Sequence, residues 1–380
     1  MIEQQQKQPV SGLNVEVSEI AIKQHAQYMN HEKTYKIHAP DHNITAFTGI
    51  HNTALGPGLG GIRFKSYDNE NMAIEDVLRL SEAMTWKNAA GGLDHGGGKT
   101  VIMAPKNMVK PNETVLEVLA QGLNTINAKH PVYFGAEDMN CGEDALNYMS
   151  KFTSWLKGAT SSDPDIVGGD PSPLTALGVF ECIKKAAKHK LGKNSLKGLR
   201  VSMQGLGSVG ASLAEHLYEA DAVLTGCDMS DAPFEELKQK NVEIQQIDLD
   251  EIYDAPADIF APNAIGGTLN DTTIPQLKKA GVQIICGAAN HQQKDQINTT
   301  ESKILHNLGI LYCPDYIVNA GGVIWVAKVG ENAKTTREDI RTGVAERFQN
   351  ILNLSKESPN TDLATIAATY SKERVEKAQK

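Results

Sequence analysis

The chain has 380 residues, enough for about two domains of ordinary size, each with a core of its own. Its 41% hydrophobic and 22% charged residues fit a globular protein, and a net charge of -9 with a pI near 5.7 excludes the basic footprint of a general nucleic-acid binder. The opening stretch MIEQQQKQPVSG lacks the charged-then-apolar order of a signal peptide, and no apolar run approaches the roughly 18 residues of a membrane span. A cytoplasmic protein with no membrane partner is therefore expected. Cys141, Cys182, Cys227, Cys286 and Cys313 are odd in number and lack a C-x-x-C, which favours reduced thiols over a disulfide framework. No metal is expected: no H-E-x-x-H occurs, and His25, His31, His38 and His42 read as surface decoration rather than a ligand set.

In chain order, Ile44 to Ile50 is a predicted strand and Glu70 to Asn88 a predicted helix, with Ala73, Ile74, Val77, Leu78, Ser81 and Met84 on its inward stripe. Lys87 continues that stripe, either snorkelling at the helix end or directed into a cleft. Residues 94 to 101 read DHGGGKTV, which invites comparison with a phosphate loop. The spacing fails, because the position six before Lys99 is Leu93 and not glycine. Thr100 to Met103 is moreover β-prone, so Lys99 enters a strand instead of opening a helix. Tyr133 to Asp138 is another strand-like run, ending in paired acids, and the bare residues leave Asp138 either a helix cap or a neighbour of the lysines.

A second organisation begins near Asp170, with a helix predicted from Leu174 to Lys190. Val201 to Gln204 is a strand, Gly205, Gly207 and Gly210 form G-x-G-x-x-G, a helix follows to about Glu219, and Ala222 to Gly226 is the next strand. Asp228 lies 18 positions beyond the last of these glycines. Strand, glycines, helix and acid together are the full context of a dinucleotide-binding fold. Such glycines allow a tight turn, close approach of a pyrophosphate and helix packing, while Ser208 and Val209 open the helix whose amino end favours an anion. Asp228 can accept hydrogen bonds from both ribose hydroxyls and repels a 2′-phosphate, so NAD is expected over NADP. Further strands are predicted at Ile259 to Ala261, Ile284 to Cys286 and Ile310 to Tyr312, and Arg337 to Lys380 reads as charged amphipathic helix.

GPGLGGIRFKSYDNE (56–70), AMTWKNAAGGLDHGGGKTVI (83–102), GAEDMN (135–140), GDPSPLTALGV (169–179), QGLGSVG (204–210), DIFAPNAIGG (258–267), CGAANHQ (286–292) and PDYIVNAGGVI (314–324) occur in one order along the chain. Together they resemble the glutamate, leucine, phenylalanine and valine dehydrogenase family, closest to its leucine branch. The resemblance implies a two-domain α/β fold: a mixed substrate and oligomerisation domain at 1–155 plus about 355–380, and a Rossmann NAD domain at 156–354. Catalysis would then lie in the interdomain cleft, the last helix would return to the first domain, and the protein would be a homo-oligomer.

The same resemblance gives Lys87 the substrate carboxylate, makes Lys99 the catalytic lysine and makes Asp138 the acid that exchanges protons with the substrate amine. The glycines before Lys99 would bring backbone and substrate close to its amine. A lysine of ordinary pKa, about 10.4, is a poor base at neutral pH. Burial and Lys87 should lower it while Asp138 opposes them. In deamination hydride leaves Cα to give an iminium, Lys99 activates water, and Asp138 protonates the departing nitrogen. Asn290 would stand beside nicotinamide and substrate and Thr175 near the nicotinamide amide, with further cofactor contacts from Ala261, Pro262, Asn263 and Asn319.

Substrate choice rests on Leu59, Gly60, Gly61, Ala136, Val323 and Val326. The glutamate branch carries at position 59 a lysine for the substrate's side-chain carboxylate; here Leu59 would leave that charge unpaired, at a cost of several kcal/mol. An apolar L-amino acid is expected, branched-chain first and phenylalanine or tryptophan as the alternative. A catalytically idle NAD-binding regulator is the alternative of another class, and it should have lost a member of the Lys87, Lys99 and Asp138 set. Two departures from the family pattern stand out: Asn263 where a cysteine is common, and Trp325, about 200° around a helix from Val323 and so directed into packing.

Overall fold

The computed structural model describes residues 12–293 and 300–380, so most of the opening stretch read for a leader lies outside the described residues. The chain divides into two compact units, Met1–Asp170 with Val326–Ala333 and Lys372–Lys380, and Pro171–Trp325 with Lys334–Ser371. Both are α/β, the first mixed and the second Rossmann-like, the fold class anticipated above.

The first unit comprises β1 (Glu16–Glu19), β2 (Lys33–Ala39), β3 (Ile44–Asn52), β4 (Gly58–Lys65), α1 (Glu70–Ala90), β5 (Gly96–Met103), α2 (Glu113–Ile126), β6 (Tyr133–Glu137) and α3 (Glu143–Met149). Its six-stranded sheet runs β1-β2-β3-β5-β4-β6, with β5 antiparallel to β3 and parallel to β4. Strand alternation sorts neighbours to opposite faces. Ala46 and Ile102 join the core under α2, whereas Phe47 and Val101 join Val77 and Leu78 of α1. Lys99, two residues before Val101, shares the α1 face.

The second unit contains α4 (Ser172–Leu191), β7 (Arg200–Gln204), α5 (Ser208–Glu219), β8 (Val223–Cys227), α6 (Ala232–Gln239), β9 (Gln245–Gln246), β10 (Ile259–Pro262), α7 (Thr273–Lys279), β11 (Ile284–Ile285), α8 (Thr300–Asn307), β12 (Leu311–Tyr312) and α9 (Asp315–Val318). Its parallel sheet runs β12-β11-β10-β7-β8-β9, the doubly wound order whose reversal lies beside β7 and the glycine loop. Three helices close the chain: α10 (Ala320–Ala327), α11 (Ala333–Glu357) and α12 (Leu363–Ala378). The single terminal helix expected from Arg337 onward is thus two helices, parted by the turn-forming Ser358-Pro359-Asn360-Thr361-Asp362, where Asp362 Oδ1 accepts from the Thr365 amide at 3.0 Å.

His31 corrects the reading of a surface histidine group. It is buried and meets His51 edge-on, with ring centroids 4.8 Å apart. The rings are tied to Leu78 O at 2.9 Å and Thr85 Oγ1 at 2.7 Å, both on α1. Burial depresses both to about 4, against the weaker upward pull of the Leu78 and Met29 carbonyls. The unfolded chain therefore binds protons near pH 6.5 that the folded first unit refuses until about pH 4. The contribution of the pair is complete above pH 6.5 and lost as pH falls, by about 2 kcal/mol per ring at pH 5. Urea unfolding of the first unit should show a lower midpoint at pH 5 than at pH 7.5, and His31→Asn should flatten that difference; equal midpoints in the wild type would contradict this.

Candidate active site

Strand β5 begins at Gly96, so Lys99 stands inside it rather than at its entrance. The glycine run serves packing more than access. A Cβ on Gly97 would strike Thr85 and Ser81 of α1, one on Gly98 the Tyr133 ring, and one on Gly96 the Asn52 carbonyl. The bare Gly97 lets α1 lie directly on β5, and Asn88 Nδ2 pins the seat by donating to Gly96 O at 2.6 Å and Leu59 O at 3.0 Å. The buried stripe of α1 therefore continues through Thr85 and Asn88. Met84 and Lys87 fall on its half-buried margin, which puts the Lys87 chain at the edge of the core in the last turn of the helix.

Lys99 is 5% exposed, and its Nζ lies 2.8 Å from Asp138 Oδ2. Asp138 follows β6 directly, and its backbone pairs with Cys141 in a tight turn. Gly61 of β4 makes the approach possible: a Cβ there would come within 2.6 Å of Asp138 Cβ and 2.8 Å of Lys99 Nζ. Burial pushes the Lys99 ammonium below the ordinary lysine range, opposed by Asp138 and reinforced by the nearby Arg63. The lowering cation assigned to Lys87 from sequence is here a guanidinium. Burial pushes Asp138 up, but Lys99 and Arg63 outweigh it and hold the carboxyl at about 2. Arg63, which sequence reasoning passed over, joins the pair: its Nε donates to Asp138 Oδ2 at 2.9 Å. Among the other first-unit candidates, Leu59 is fully buried on the β4 face that also carries Gly61, Gly60 is buried beside it, and Ala136 of β6 pairs with Gly61. Val326 is buried with its methyls 3.5 and 3.8 Å from where a Gly158 Cβ would be.

In the second unit the glycine loop links β7 to α5. Gly205 takes a φ of +91°, and a Cβ on Gly210 would strike the Gly205 carbonyl, so both are demanded by the turn itself. Gly207 differs: a Cβ there would meet nothing within 4 Å. It is exposed with Ser208 beside the amide end of α5, and Val209 is half-buried behind them. That open place at a helix amino end fits a pyrophosphate. Asp228, after β8, accepts from the Leu206 amide at 2.7 Å through Oδ2 and from the Ser230 amide at 3.1 Å through Oδ1, so it braces the loop. Each oxygen keeps a second lone pair for a ribose hydroxyl.

The loops after β10 and β11 are stitched by Asn263, whose Oδ1 accepts from Ala288 N at 3.0 Å and whose Nδ2 donates to Ala261 O at 3.0 Å. Ala261 and Pro262 are buried strand residues, and a Cβ on Gly287 would strike the Pro262 backbone and ring, so the loop after β11 lies directly on β10. Asn319 Nδ2 donates to Ala288 O at 3.0 Å and Asn290 Oδ1 at 2.9 Å, and its own buried Oδ1 takes no hydrogen bond among the described residues. An unsatisfied buried acceptor there suits an amide donor such as a nicotinamide carboxamide. Thr175 Oγ1 donates to Pro171 O at 3.1 Å, and a Cβ on Gly322 would collide with it, which seats α10 against α4. Val323, one turn before Val326 on α10, is half-buried. Trp325 is 3% exposed with the Arg337 guanidinium over its ring at 5.4 Å, consistent with packing.

The chain matches the family descriptions "Glu/Leu/Phe/Val dehydrogenase, dimerisation domain" over residues 31–155 and "Glutamate/Leucine/Phenylalanine/Valine dehydrogenase" over 229–380. It belongs to the Glu/Leu/Phe/Val dehydrogenase family. It is 37% identical to leucine dehydrogenase of Bacillus subtilis over 342 residues, covering 89% of each chain. Phenylalanine dehydrogenase of Lysinibacillus sphaericus is 36% identical over 349 residues, 90% of this chain and 87% of that one. The crystal structure of L-tryptophan dehydrogenase from Nostoc punctiforme superposes with a TM-score of 0.79 at 32% identity, over 92% of this chain and 97% of that one. Family membership makes the protein an NAD-dependent amino acid dehydrogenase, and its first matched region a dimerisation domain. Among the described residues no helix is long and apolar enough to cross a membrane.

Two variants probe the half-sites separately. Gly61→Ala should part Lys99 from Asp138 and lower kcat at least tenfold with NAD affinity unchanged, because a methyl is forced between them; wild-type kcat would contradict it. Asp228→Ser should weaken NAD use and improve NADP use, measured as the ratio of kcat/KM values, and an unchanged ratio would remove Asp228 from the ribose.

Proposed function

We propose that the protein catalyses the reversible oxidative deamination of an apolar L-amino acid to its 2-oxo acid and ammonia, with branched-chain substrates foremost. The observation that carries this reading is the company kept by the buried Lys99 and Asp138 pair: Leu59, fully buried, lies on the same strand face as Gly61. A side-chain carboxylate placed there would meet no partner on Leu59, and several kcal/mol of desolvation would count against glutamate. Phenylalanine and tryptophan are the second choice, supported by aromatic-substrate dehydrogenases among the relatives.

Lys87, at the margin of α1, holds the substrate carboxylate as a point charge. Asp138 offers its carboxylate to the substrate nitrogen, takes a proton from the ammonium so that the amine is neutral when hydride leaves, and returns that proton to the nitrogen as ammonia leaves. NAD, when bound, takes the hydride released from Cα. Lys99, neutral once its proton has passed to solvent, removes a proton from the water that attacks the iminium carbon. In the second unit Gly207, Ser208 and Val209 would hold the pyrophosphate, Asp228 the ribose, and Thr175, Asn290 and Asn319 the nicotinamide, with Ala261, Pro262 and Asn263 toward the adenosine. Leu59, Ala136 and Val326 of the first unit and Val323 of the second are the apolar positions through which a branched aliphatic side chain is chosen. The intact lysine and aspartate set speaks against an idle NAD-binding regulator. Self-association through the dimerisation domain into a homo-oligomer, in a reducing cytoplasm that leaves all five buried cysteines as thiols, completes the reading.

A panel of L-amino acids with NAD, followed by the absorbance of reduced cofactor, tests the substrate class. Leucine, valine or isoleucine should give the highest kcat/KM, and faster turnover of glutamate than of any apolar amino acid would overturn the assignment.

A further inference from the structure

Arg63 is half-buried on β4, two residues beyond Gly61 and on the same strand face. Its guanidinium spans two carboxylates: Nε donates to Asp138 Oδ2 at 2.9 Å, and Nη1 donates to Asp76 Oδ2 at 3.1 Å. Asp76, 9% exposed on α1, is itself gripped by the Tyr67 hydroxyl at 2.7 Å and by Arg79 Nη2 at 2.9 Å. We propose that Arg63 is a positioning residue for the proton-transfer pair, holding Asp138 by one carboxylate oxygen while Asp76 and Tyr67 hold Arg63 in turn. The inference rests on the reaction proposed above.

Both cations converge on Oδ2 of Asp138, since Lys99 Nζ is also 2.8 Å from that oxygen. Oδ1 carries neither of these contacts and is the oxygen presented to the substrate nitrogen. A fork fixed at both ends sets the carboxylate plane as well as its charge, which a lysine at position 63 could not do. The groups that bear on Asp138 are Lys99 from β5, Arg63 from β4 with Asp76 and Arg79 of α1 behind it, Tyr67 before α1, and Tyr133 and Cys141 around β6. Arg63 acts in one direction on the pair: it lowers Asp138 and it lowers Lys99. Whichever member governs the rising limb of deamination with pH, removing the guanidinium must move that limb to higher pH. Because the two groups titrate as a coupled pair, the limb reports their joint behaviour.

The experiment is the pH profile of kcat/KM for leucine deamination in the full-length wild type, Arg63→Gln, Arg63→Lys and Tyr67→Phe, with NAD affinity measured alongside. Arg63→Gln should shift the rising limb up by about one unit or more, so that kcat/KM below the limb drops about tenfold for each unit, while the Kd for NAD is unchanged. Arg63→Lys, which keeps the charge but reaches one carboxylate, should shift the limb less and still lose kcat. Tyr67→Phe, which changes no charge on the pair, should lower kcat without moving the limb. A wild-type profile in either Arg63 variant overturns the proposal, and Arg63→Lys decides the matter if Arg63→Gln does not fold. If the wild type deaminates no amino acid at all, the reaction itself is wrong; if it does and the Arg63 profiles do not move, only the role of Arg63 fails.

Discussion

An ammonium group whose side chain is only 6% exposed is kept in a folded protein only beside an opposite charge, and the first unit is organised around supplying one to Lys99. The carboxylate comes from Asp138 at the end of β6, two strands away across β4 in the sheet order. The distance is closed by leaving out side chains. Gly61 has no Cβ to stand between the two groups, and Gly96, Gly97 and Gly98 let β5 sink against α1, Tyr133 and the neighbouring strand. Helix α1 carries both Lys87 and Asp76, so one packing contact places the lysine proposed to hold the substrate carboxylate and the carboxylate that grips Arg63.

The electrostatics follow from that packing. Burial alone would neutralise both members of the pair, raising Asp138 and lowering Lys99. Two cations on one oxygen reverse the outcome for Asp138 and keep it ionised, whereas Lys99 stays displaced downward. One partner is thereby held as an acceptor, and the other gives up its proton more readily than a solvated lysine, which suits the proton transfers proposed for them. Arg374, on α12, extends the same logic of restraint, donating to Ala89 O and Leu93 O at 3.3 and 2.7 Å and so holding the end of α1 and the loop that leads into the glycine run.

The second unit was the more legible from sequence, because its information is local. A strand, three glycines, a helix and an acid within about 30 residues encode one turn and one binding edge, and the parallel order of the sheet follows from the strand and helix alternation. The first unit encodes its site across distance. Residues 63, 76, 99 and 138 meet only after four elements have packed, so Arg63 passes unremarked in the sequence, and the glycine run reads as access with its packing role hidden. β5 was started late because glycine carries little strand propensity of its own. His31 was misplaced for a related reason: burial of a polar ring depends on partners, here His51 and the Leu78 carbonyl, that spacing along the chain does not reveal.

The central claim is that Lys99 and Asp138 act as one unit. A double-mutant cycle read by single-turnover hydride transfer, comparing wild type, Lys99→Met, Asp138→Asn and the double variant at saturating NAD and leucine, measures this directly. The account predicts that each single change lowers the rate by at least about a hundredfold, the lower range for general acid-base groups, and that the double variant is scarcely slower than the worse single one. Losses that multiply in full would mean that the two groups work independently, and would contradict it.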